Sequence, residues 1–168
     1  MSATPQPVLY TPAQRAKRDA TAWTLVQGVL APVQFLIFGV SLYLVLSSLQ
    51  TGEHTDWALA SVVLKTVVLY AIMITGAIWE KVVFDCYLFA PAFFWEDVVS
   101  MGVMALHTAY VWVWWQGIWS PTDQLLLALA AYGSYAINAA QYIRKLRMAR
   151  LQKNPTLTMP DTGAQAST

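Results

Sequence analysis

The chain has 168 residues, of which 57% are hydrophobic and 11% charged, and its formal net charge at neutral pH is +1. Water-soluble globular domains carry about 25% charged and about 45 to 50% apolar residues, so this composition excludes an ordinary soluble domain. The single cysteine, Cys86, excludes an internal disulfide and a cysteine metal cluster. We expect no resident metal, no cofactor and no nucleic-acid partner.

Four apolar stretches dominate the chain, and each approaches the roughly 20 residues with which a helix crosses a bilayer core. In lipid the backbone polar groups must be satisfied within the segment, which favours helices over strands. The sequence therefore predicts an all-α polytopic membrane protein with four transmembrane helices, at residues 22–49, 57–79, 98–121 and 124–143. Around the four-helix domain of residues 22–151 we expect a polar, basic lead (1–21) and a disordered tail (152–168).

The distribution of lysine and arginine predicts the orientation of these helices. Basic residues precede the first stretch, follow the second and cluster after the fourth, whereas the connections at residues 52–56 and 117–123 contain none. By the positive-inside rule both termini then face the cytoplasm. A short helix that begins at Pro12 is expected to run along the membrane surface into the first span.

An aromatic segment, residues 87–95, separates the second and third spans. It is too short to cross the bilayer, and Pro91 interrupts any helix through it. Tyrosine and tryptophan favour the membrane interface, where the ring is buried and the polar tip stays wet. Two interpretations are open: a simple anchoring loop, or a lid or wall for a flat hydrophobic ligand.

Three carboxyl groups, those of Glu80, Glu96 and Asp97, are predicted to lie at the same membrane level on consecutive helices. Acids at membrane depth are costly and are candidates for function. Crowded carboxyls in a medium of low dielectric constant favour keeping one proton among them, and such a proton is available for transfer. The structural alternatives are a helix cap for Glu96 and Asp97 and an interfacial ion pair between Glu80 and Lys81.

For the other polar residues of the spans, structural interpretations stand beside functional ones. Lys65 is expected to extend its ammonium group outward to the membrane surface. His107 is either a hydrogen-bonded packing residue or a ligand to substrate or to a metal held by a pigment. The pairs Gln27 and Gln34, and Asn138 and Gln141, have the spacing of interhelical hydrogen bonds, with a substrate-facing role as the alternative.

The sequence resembles the vinyl (bacterio)chlorophyllide hydratase family of bacteriochlorophyll biosynthesis from Tyr10 to about Leu151. The resemblance lies in the segments WTLVQG (23–28), LAPVQF (30–35), IWEKVVF (78–84), YLFAPAFFWED (87–97), LHTAY (106–110) and INAAQ (137–141). It implies a hydro-lyase that adds water to the C3 vinyl group of chlorophyllide a or 3-vinyl bacteriochlorophyllide a, giving the 1-hydroxyethyl product at a bacterial cytoplasmic membrane. The substrate, a magnesium tetrapyrrole, then reacts with water at the lipid bilayer.

For this reaction we expect Glu96 or Glu80 to be the general acid, with Asp97 positioning water or stabilising the cation. His107 is expected to orient the pigment and Lys81 to meet its propionate. The expected ring contacts are aromatic: Trp79, Phe93, Phe94, Trp95 and Tyr110. The competing interpretation is a non-catalytic pigment-binding or assembly protein of photosynthetic membranes, which would also have aromatic walls and an intramembrane histidine.

Overall fold

The computed structural model describes residues 9–153, and its regular elements are five α-helices. They are α1 (Pro12–Ala20), α2 (Ala22–Thr51), α3 (Thr55–Phe84), α4 (Phe94–Gln116) and α5 (Pro121–Lys153). Residues 1–8 and 154–168 lie outside the described residues. The predicted tail therefore lies outside them too, apart from Gln152 and Lys153, which end α5.

The helix ends follow from local sequence. Thr11 and Gln14 form a capping box ahead of α1, which confirms the helix predicted from Pro12. α4 ends at Gln116 because Gly117 takes a left-handed conformation with φ 63°. The third span was expected to continue to residue 121, and this was wrong, since Pro121 instead begins α5.

The four long helices α2 to α5 pack side by side, and neighbours along the chain run antiparallel. Contacts between α2 and α3 join Gln27 with Thr75 near one end and Ser48 with Thr55 at the other. α1, the connection between α3 and α4, and the C-terminal part of α5 therefore share one end of the bundle, which we call the acidic end. The short connections α2–α3 and α4–α5 lie at the opposite end.

Three of these helices, α2, α3 and α4, are long and apolar enough to cross a membrane. α5 is longer but more polar, because Gln124, Asn138 and Gln141 and the basic residues from Arg144 onward lie within it. The expectation of a multi-pass helical membrane protein is thus confirmed, while the composition of α5 does not by itself identify the fourth span.

On α2 the buried face is more polar than the outer face, and polar side chains from the other long helices are also buried. On α2 the buried residues include Gln34, Ser41 and Ser48, whereas Leu25 and Leu36 are about 70% exposed. Such a distribution is unfavourable in water, because apolar surface removed from water contributes about 25 cal/mol per Å². It suits a helix whose outer face contacts lipid and whose polar groups find partners inside.

Lys65 was expected to reach the membrane surface, and this was wrong. Its side chain is fully buried, because it lies on the face of α3 that points into the bundle. Lys65 Nζ lies 3.1 Å from Nε2 of His107 and 3.6 Å from the ring centre of Tyr135. Since Nδ1 of His107 bonds the Val103 carbonyl oxygen (2.8 Å), which only accepts, Nδ1 carries the ring proton and Nε2 accepts from Lys65.

Replacing His107 by leucine should lower the stability of the protein by about 3 kcal/mol, because the Lys65 ammonium group is left buried without its acceptor. The double variant Lys65→Met/His107→Leu should recover most of this loss, since both polar partners are then gone. Thermal unfolding in detergent measures both effects. The exposed His54→Asn change is the control, since asparagine tolerates the left-handed backbone of this position (φ 56°). Additive losses in the double variant would contradict the pairing.

Candidate active site

Two of the predicted acids meet at the acidic end of the bundle. Glu80, one turn before the end of α3, and Asp97, in the first turn of α4, are 5% and 1% exposed. Their carboxyl groups are close enough to influence each other's ionisation, and two buried carboxyls so near one another repel if both are ionised. A proton on one of the four oxygens removes that repulsion and allows a hydrogen bond between the two, because an ionised carboxylate only accepts. The arrangement therefore favours one proton held by this acid pair between α3 and α4.

The connection between α3 and α4, residues 85–93, covers the acid pair with its backbone. The Phe89 N–H donates to Oδ2 of Asp97 (2.7 Å), and the Ala90 N–H donates to Oε2 of Glu80 (3.3 Å). Phe89 takes a left-handed conformation with φ 60°, which is unusual for a residue other than glycine. Strained backbone of this kind persists where the surrounding contacts require it, and here it aims two successive N–H groups at two carboxyls.

The same connection carries the cysteine. Cys86 is half-buried, and the pKa of its thiol is raised, first by burial and then by the nearby acids Glu80 and Asp97.

The connection between α3 and α4 begins at Asp85, whose left-handed backbone ends α3. The Asp85 carboxylate pairs with Lys17 of α1 at 2.9 Å. That ion pair is exposed, so it contributes little energy, but it places α1 beside the acid pair.

Glu96 lies next to Asp97 but has a different partner. Its Oε2 atom is 3.0 Å from Nζ of Lys145 on α5, and both side chains are mostly buried. Lys145 also donates to the carbonyl oxygen of Ala92 and lies over the ring of Phe93, 5.4 Å from its centre. The structure therefore separates the three predicted acids into the pair Glu80 and Asp97 and an ion pair in which Glu96 joins α4 to α5.

The aromatic residues predicted to contact a ligand divide into two groups. Trp79 and Phe93 are packed within the protein, where Phe93 lies against the rings of Trp79, Phe84, Tyr10 and Tyr142. Phe94 and Trp95 are 44% and 70% exposed and form an outward-facing surface where α4 begins. This surface is available to a flat apolar molecule without rearrangement.

The remaining predicted residues lie at different depths. Lys81 is exposed beside the acidic end, where Nζ donates to the Asp85 carbonyl oxygen at 2.8 Å. His107 and Tyr110 are fully buried deeper in the bundle, and the Tyr110 hydroxyl donates to the Leu59 carbonyl oxygen. The structure does not bring these two to the acid pair.

Tyr142 of α5 is a site residue that the sequence reasoning missed. Its hydroxyl donates to Oδ1 of Asp97 at 3.2 Å. A signal was present, since Asn138, Gln141, Tyr142 and Lys145 recur at the spacing of one helix face. Because the ring of Tyr142 is apolar, its hydroxyl was not counted among the polar groups of this helix face.

Shallow concavities lie at both ends of the described part of the bundle. One, of about 420 Å³, lies along α1 at the acidic end and is lined by Tyr10, Pro12, Arg15, Ala16 and Asp19, and another, of about 410 Å³, lies at the opposite end near Trp119 and Asp123. Neither is lined by Glu80 or Asp97. Within residues 9–153 no group of three or more His, Cys, Asp or Glu side chains is placed to hold a metal ion. The acid pair is enclosed by α3, α4 and α5 and by the connection above it.

Comparisons with known proteins identify the family of the chain. The family model described as 2-vinyl bacteriochlorophyllide hydratase matches residues 10–148. A 2-vinyl bacteriochlorophyllide hydratase of Cereibacter sphaeroides is 63% identical over 150 residues, which cover 89% of this chain and 92% of that protein. One of Rhodobacter capsulatus is 63% identical over 145 residues, covering 86% of this chain and 84% of that protein. No solved structure matches. The family match spans all five helices and the acid pair, and the chain therefore belongs to the 2-vinyl bacteriochlorophyllide hydratase family.

Proposed function

We propose that this protein is a hydro-lyase of bacteriochlorophyll biosynthesis that adds water to the ring vinyl group of a magnesium tetrapyrrole. The vinyl group is attached at ring position 3 in the numbering used here and at position 2 in the relatives' names. The substrate is chlorophyllide a or 3-vinyl bacteriochlorophyllide a, and the product carries a 3-(1-hydroxyethyl) group. Membership of the family supports the reaction, and the observation that carries the mechanism is the proton-sharing contact between Glu80 and Asp97.

The chemistry needs a proton, a water molecule and a way to tolerate positive charge. Transfer of a proton to the terminal vinyl carbon leaves a cation on the carbon next to the ring, where conjugation with the macrocycle spreads it. Water then forms the new C–O bond and gives up a proton. The atoms balance, because the pair of carboxyls donates one proton in the first step and regains one in the last.

Within the pair, Glu80 is the proposed proton donor and Asp97 the proposed stabiliser of the cation. Asp97 accepts from two fixed donors, the Phe89 N–H and the Tyr142 hydroxyl, which hold it in place as an anion. Glu80 accepts one longer bond from Ala90 and is less constrained. Glu96 was an equal candidate for the acid, but its ion pair with Lys145 favours a structural role for it.

The substrate is proposed to bind at the acidic end, with its ring on the surface of Phe94 and Trp95. Lys81 lies exposed at the same end and is the proposed partner of the propionate carboxylate. Access of the vinyl group to the acids requires residues 85–93 to move, because their backbone covers the pair. Such movement would also open Trp79 and Phe93 to the ring.

Contacts of the pigment with Tyr110 and His107 stay predictions. Tyr110 is fully buried, with its hydroxyl bound to a backbone carbonyl oxygen. For His107 to coordinate the substrate's magnesium, Nε2 would have to break its contact with Lys65 and bind the metal instead. The geometry of the acid pair does not depend on either contact.

We place the protein in the bacterial cytoplasmic membrane, with α5 as a fourth span and both termini in the cytoplasm. The antiparallel bundle supports this topology, because the acidic end collects α1, Lys81 and the basic residues after Arg144, while the connections at the other end have no lysine or arginine. The acid pair then lies at the cytoplasmic interface.

Glu80→Gln and Asp97→Asn should each lower the turnover of vinyl hydration by about a hundredfold or more, because glutamine at position 80 cannot donate the proton and asparagine at position 97 carries no negative charge to stabilise the cation. Glu96→Gln should cost less activity and more stability, since it leaves Lys145 half-buried without its anion. The measurement is formation of a pigment heavier by one water, in membranes supplied with chlorophyllide in the dark. Asp85→Asn, a conservative change at an exposed acid, is the control.

Parental turnover in both acid-pair variants, at equal protein level, would contradict the carboxyl mechanism. A spectral shift of the pigment without the heavier product, in membranes that contain the parental chain, would instead indicate a protein that binds pigment without converting it. The two results differ in whether the parental protein forms product.

Trp95→Ala should raise the KM for the pigment by about tenfold and leave kcat within a factor of about two, because an exposed ring face contributes about 1 kcal/mol or slightly more to binding. Trp115→Ala removes an equally exposed tryptophan near the opposite end of α4 and is the matched control. Equal effects of the two changes would show that Trp95 is a membrane anchor only.

Single cysteines introduced in a Cys86→Ser background test the topology. A cysteine that replaces Glu53 or Ser120 should react with an impermeant maleimide added to intact cells. A cysteine that replaces Asp19 or Arg147 should react only after the membrane is opened. All four positions are exposed. Labelling of Arg147→Cys from outside would exclude α5 as a fourth span.

A further inference from the structure

Side-chain amides in the bundle interior have polar atoms that bond nothing in the described part of the chain. Both Nε2 and Oε1 of Gln34 lack a hydrogen-bond partner there, although Gln34 is only 2% exposed. A hydrogen-bond partner is also missing there for Oδ1 of Asn138, a residue 6% exposed, and for Oε1 of Gln141. Buried polar groups are nearly always hydrogen-bonded, so each exception requires an explanation.

The simplest explanation, that these amides join the helices to each other, holds only in part. Gln27 does donate to Thr75, and Asn138 Nδ2 donates to Ser100 Oγ at 2.8 Å. Gln34, on the same face of α2 as Gln27, joins no other helix within residues 9–153. The expectation of an interhelical bond was thus right for Gln27 and Asn138 and wrong for Gln34.

Gln34 and Asn138 lie at the same depth on neighbouring helices. α2 and α5 run antiparallel, and the rings of Phe38 and Tyr135 meet with their centres 4.9 Å apart. Gln34 is one turn beyond Phe38 toward the acidic end, and Asn138 is about one turn beyond Tyr135 in the same direction. The unpartnered amide atoms therefore occupy one layer of the bundle interior.

This layer is connected to the acid pair by hydrogen-bonding groups. Asn138 donates to Ser100, whose hydroxyl interacts with that of Tyr142, and Tyr142 donates to Asp97. On α5, Asn138 lies about one helical turn deeper in the bundle than Tyr142, which bonds Asp97, and on α2, Gln34 lies about two turns deeper than Gln27. Its orphan atoms include acceptors and donors, as a bridging water molecule requires.

We infer that Gln34 and Asn138 form a binding site for the water that the hydration consumes. This inference rests on the proposed function. Water is scarce inside an apolar bundle, and the cation formed at the vinyl group must meet it quickly. The site is linked to the acid pair through Ser100 and Tyr142, so it supplies the nucleophile from the bundle interior and returns its proton toward Asp97 and Glu80. Gln141, on the same face of α5, extends the site.

The test compares two replacements of Gln34 that differ in the space they leave. Gln34→Leu fills the position with apolar atoms and should lower kcat by about tenfold or more, with KM within a factor of about two. The unfolding temperature should be unchanged or higher, because the amide and its bound water are replaced together by apolar atoms. Gln34→Ala leaves room for water and should keep more activity than Gln34→Leu. Asn138→Leu should lower kcat as Gln34→Leu does.

Gln27→Leu is the matched control, since this amide lies on the same helix face and has a protein partner. It should lower stability and leave kcat within a factor of about two. A packing role for Gln34 predicts the opposite order, with leucine tolerated and alanine destabilising through the cavity it creates. That order, or full turnover in Gln34→Leu, would overturn the inference.

A second measurement needs no substrate. Hydroxyl radicals generated by X-rays inside the protein label side chains beside bound water, and Tyr135 is the buried probe nearest this layer. Its labelling should be present in the parental protein and lost in Gln34→Leu. Product formation without labelling of Tyr135 would overturn the water site, whereas labelling without product from the parental chain would overturn the proposed hydratase function.

Discussion

Two buried carboxyl groups from different helices meet at one end of this bundle, in an arrangement that favours one proton between them, and the hydrogen bonds around them follow from that contact. If both were ionised at this separation in a buried position, their repulsion would separate α3 from α4. The backbone N–H groups of Phe89 and Ala90 and the hydroxyl of Tyr142 supply the remaining hydrogen bonds. The proton thus has a structural role, in joining two helices, and a proposed chemical one, in reaching the vinyl carbon.

The polar interior explains how so apolar a chain folds to a single arrangement. Between helices in lipid, apolar contacts alone discriminate poorly, because hydrocarbon tails offer the same contacts. Here Lys65 and His107 join α3 to α4, Ser41 and Tyr132 join α2 to α5, and Glu96 and Lys145 join α4 to α5. Each link specifies one register between its helices, and the acid pair depends on all of them.

The sequence predicted the helices, the grouping of Glu80, Glu96 and Asp97, and the family, because these rest on hydropathy, charge and local motifs. It did not separate Glu96 from the other two acids, because the partner of Glu96, Lys145, is far along the chain. In the sequence Lys145 is one of several basic residues that follow an apolar span, so nothing marks it as the partner of an acid. Lys65 was misplaced for a related reason. A lone lysine in an apolar helix predicts contact with the surface unless its acceptor, here His107 on another helix, is known.

The hydrogen bonds that cover the acids come from the main chain of residues 89 and 90, not from their side chains. The exposed side chain of Phe89 can therefore vary with the pigment or lipid it meets, provided that the amide hydrogen remains, whereas Ala90 is fully buried and must stay small. Proline is excluded at either position, because it has no such hydrogen and its ring fixes φ near −65°, opposite in sign to the 60° of Phe89. The cover thus separates two requirements: its backbone serves the acids, and its exposed side chain adapts to the surroundings.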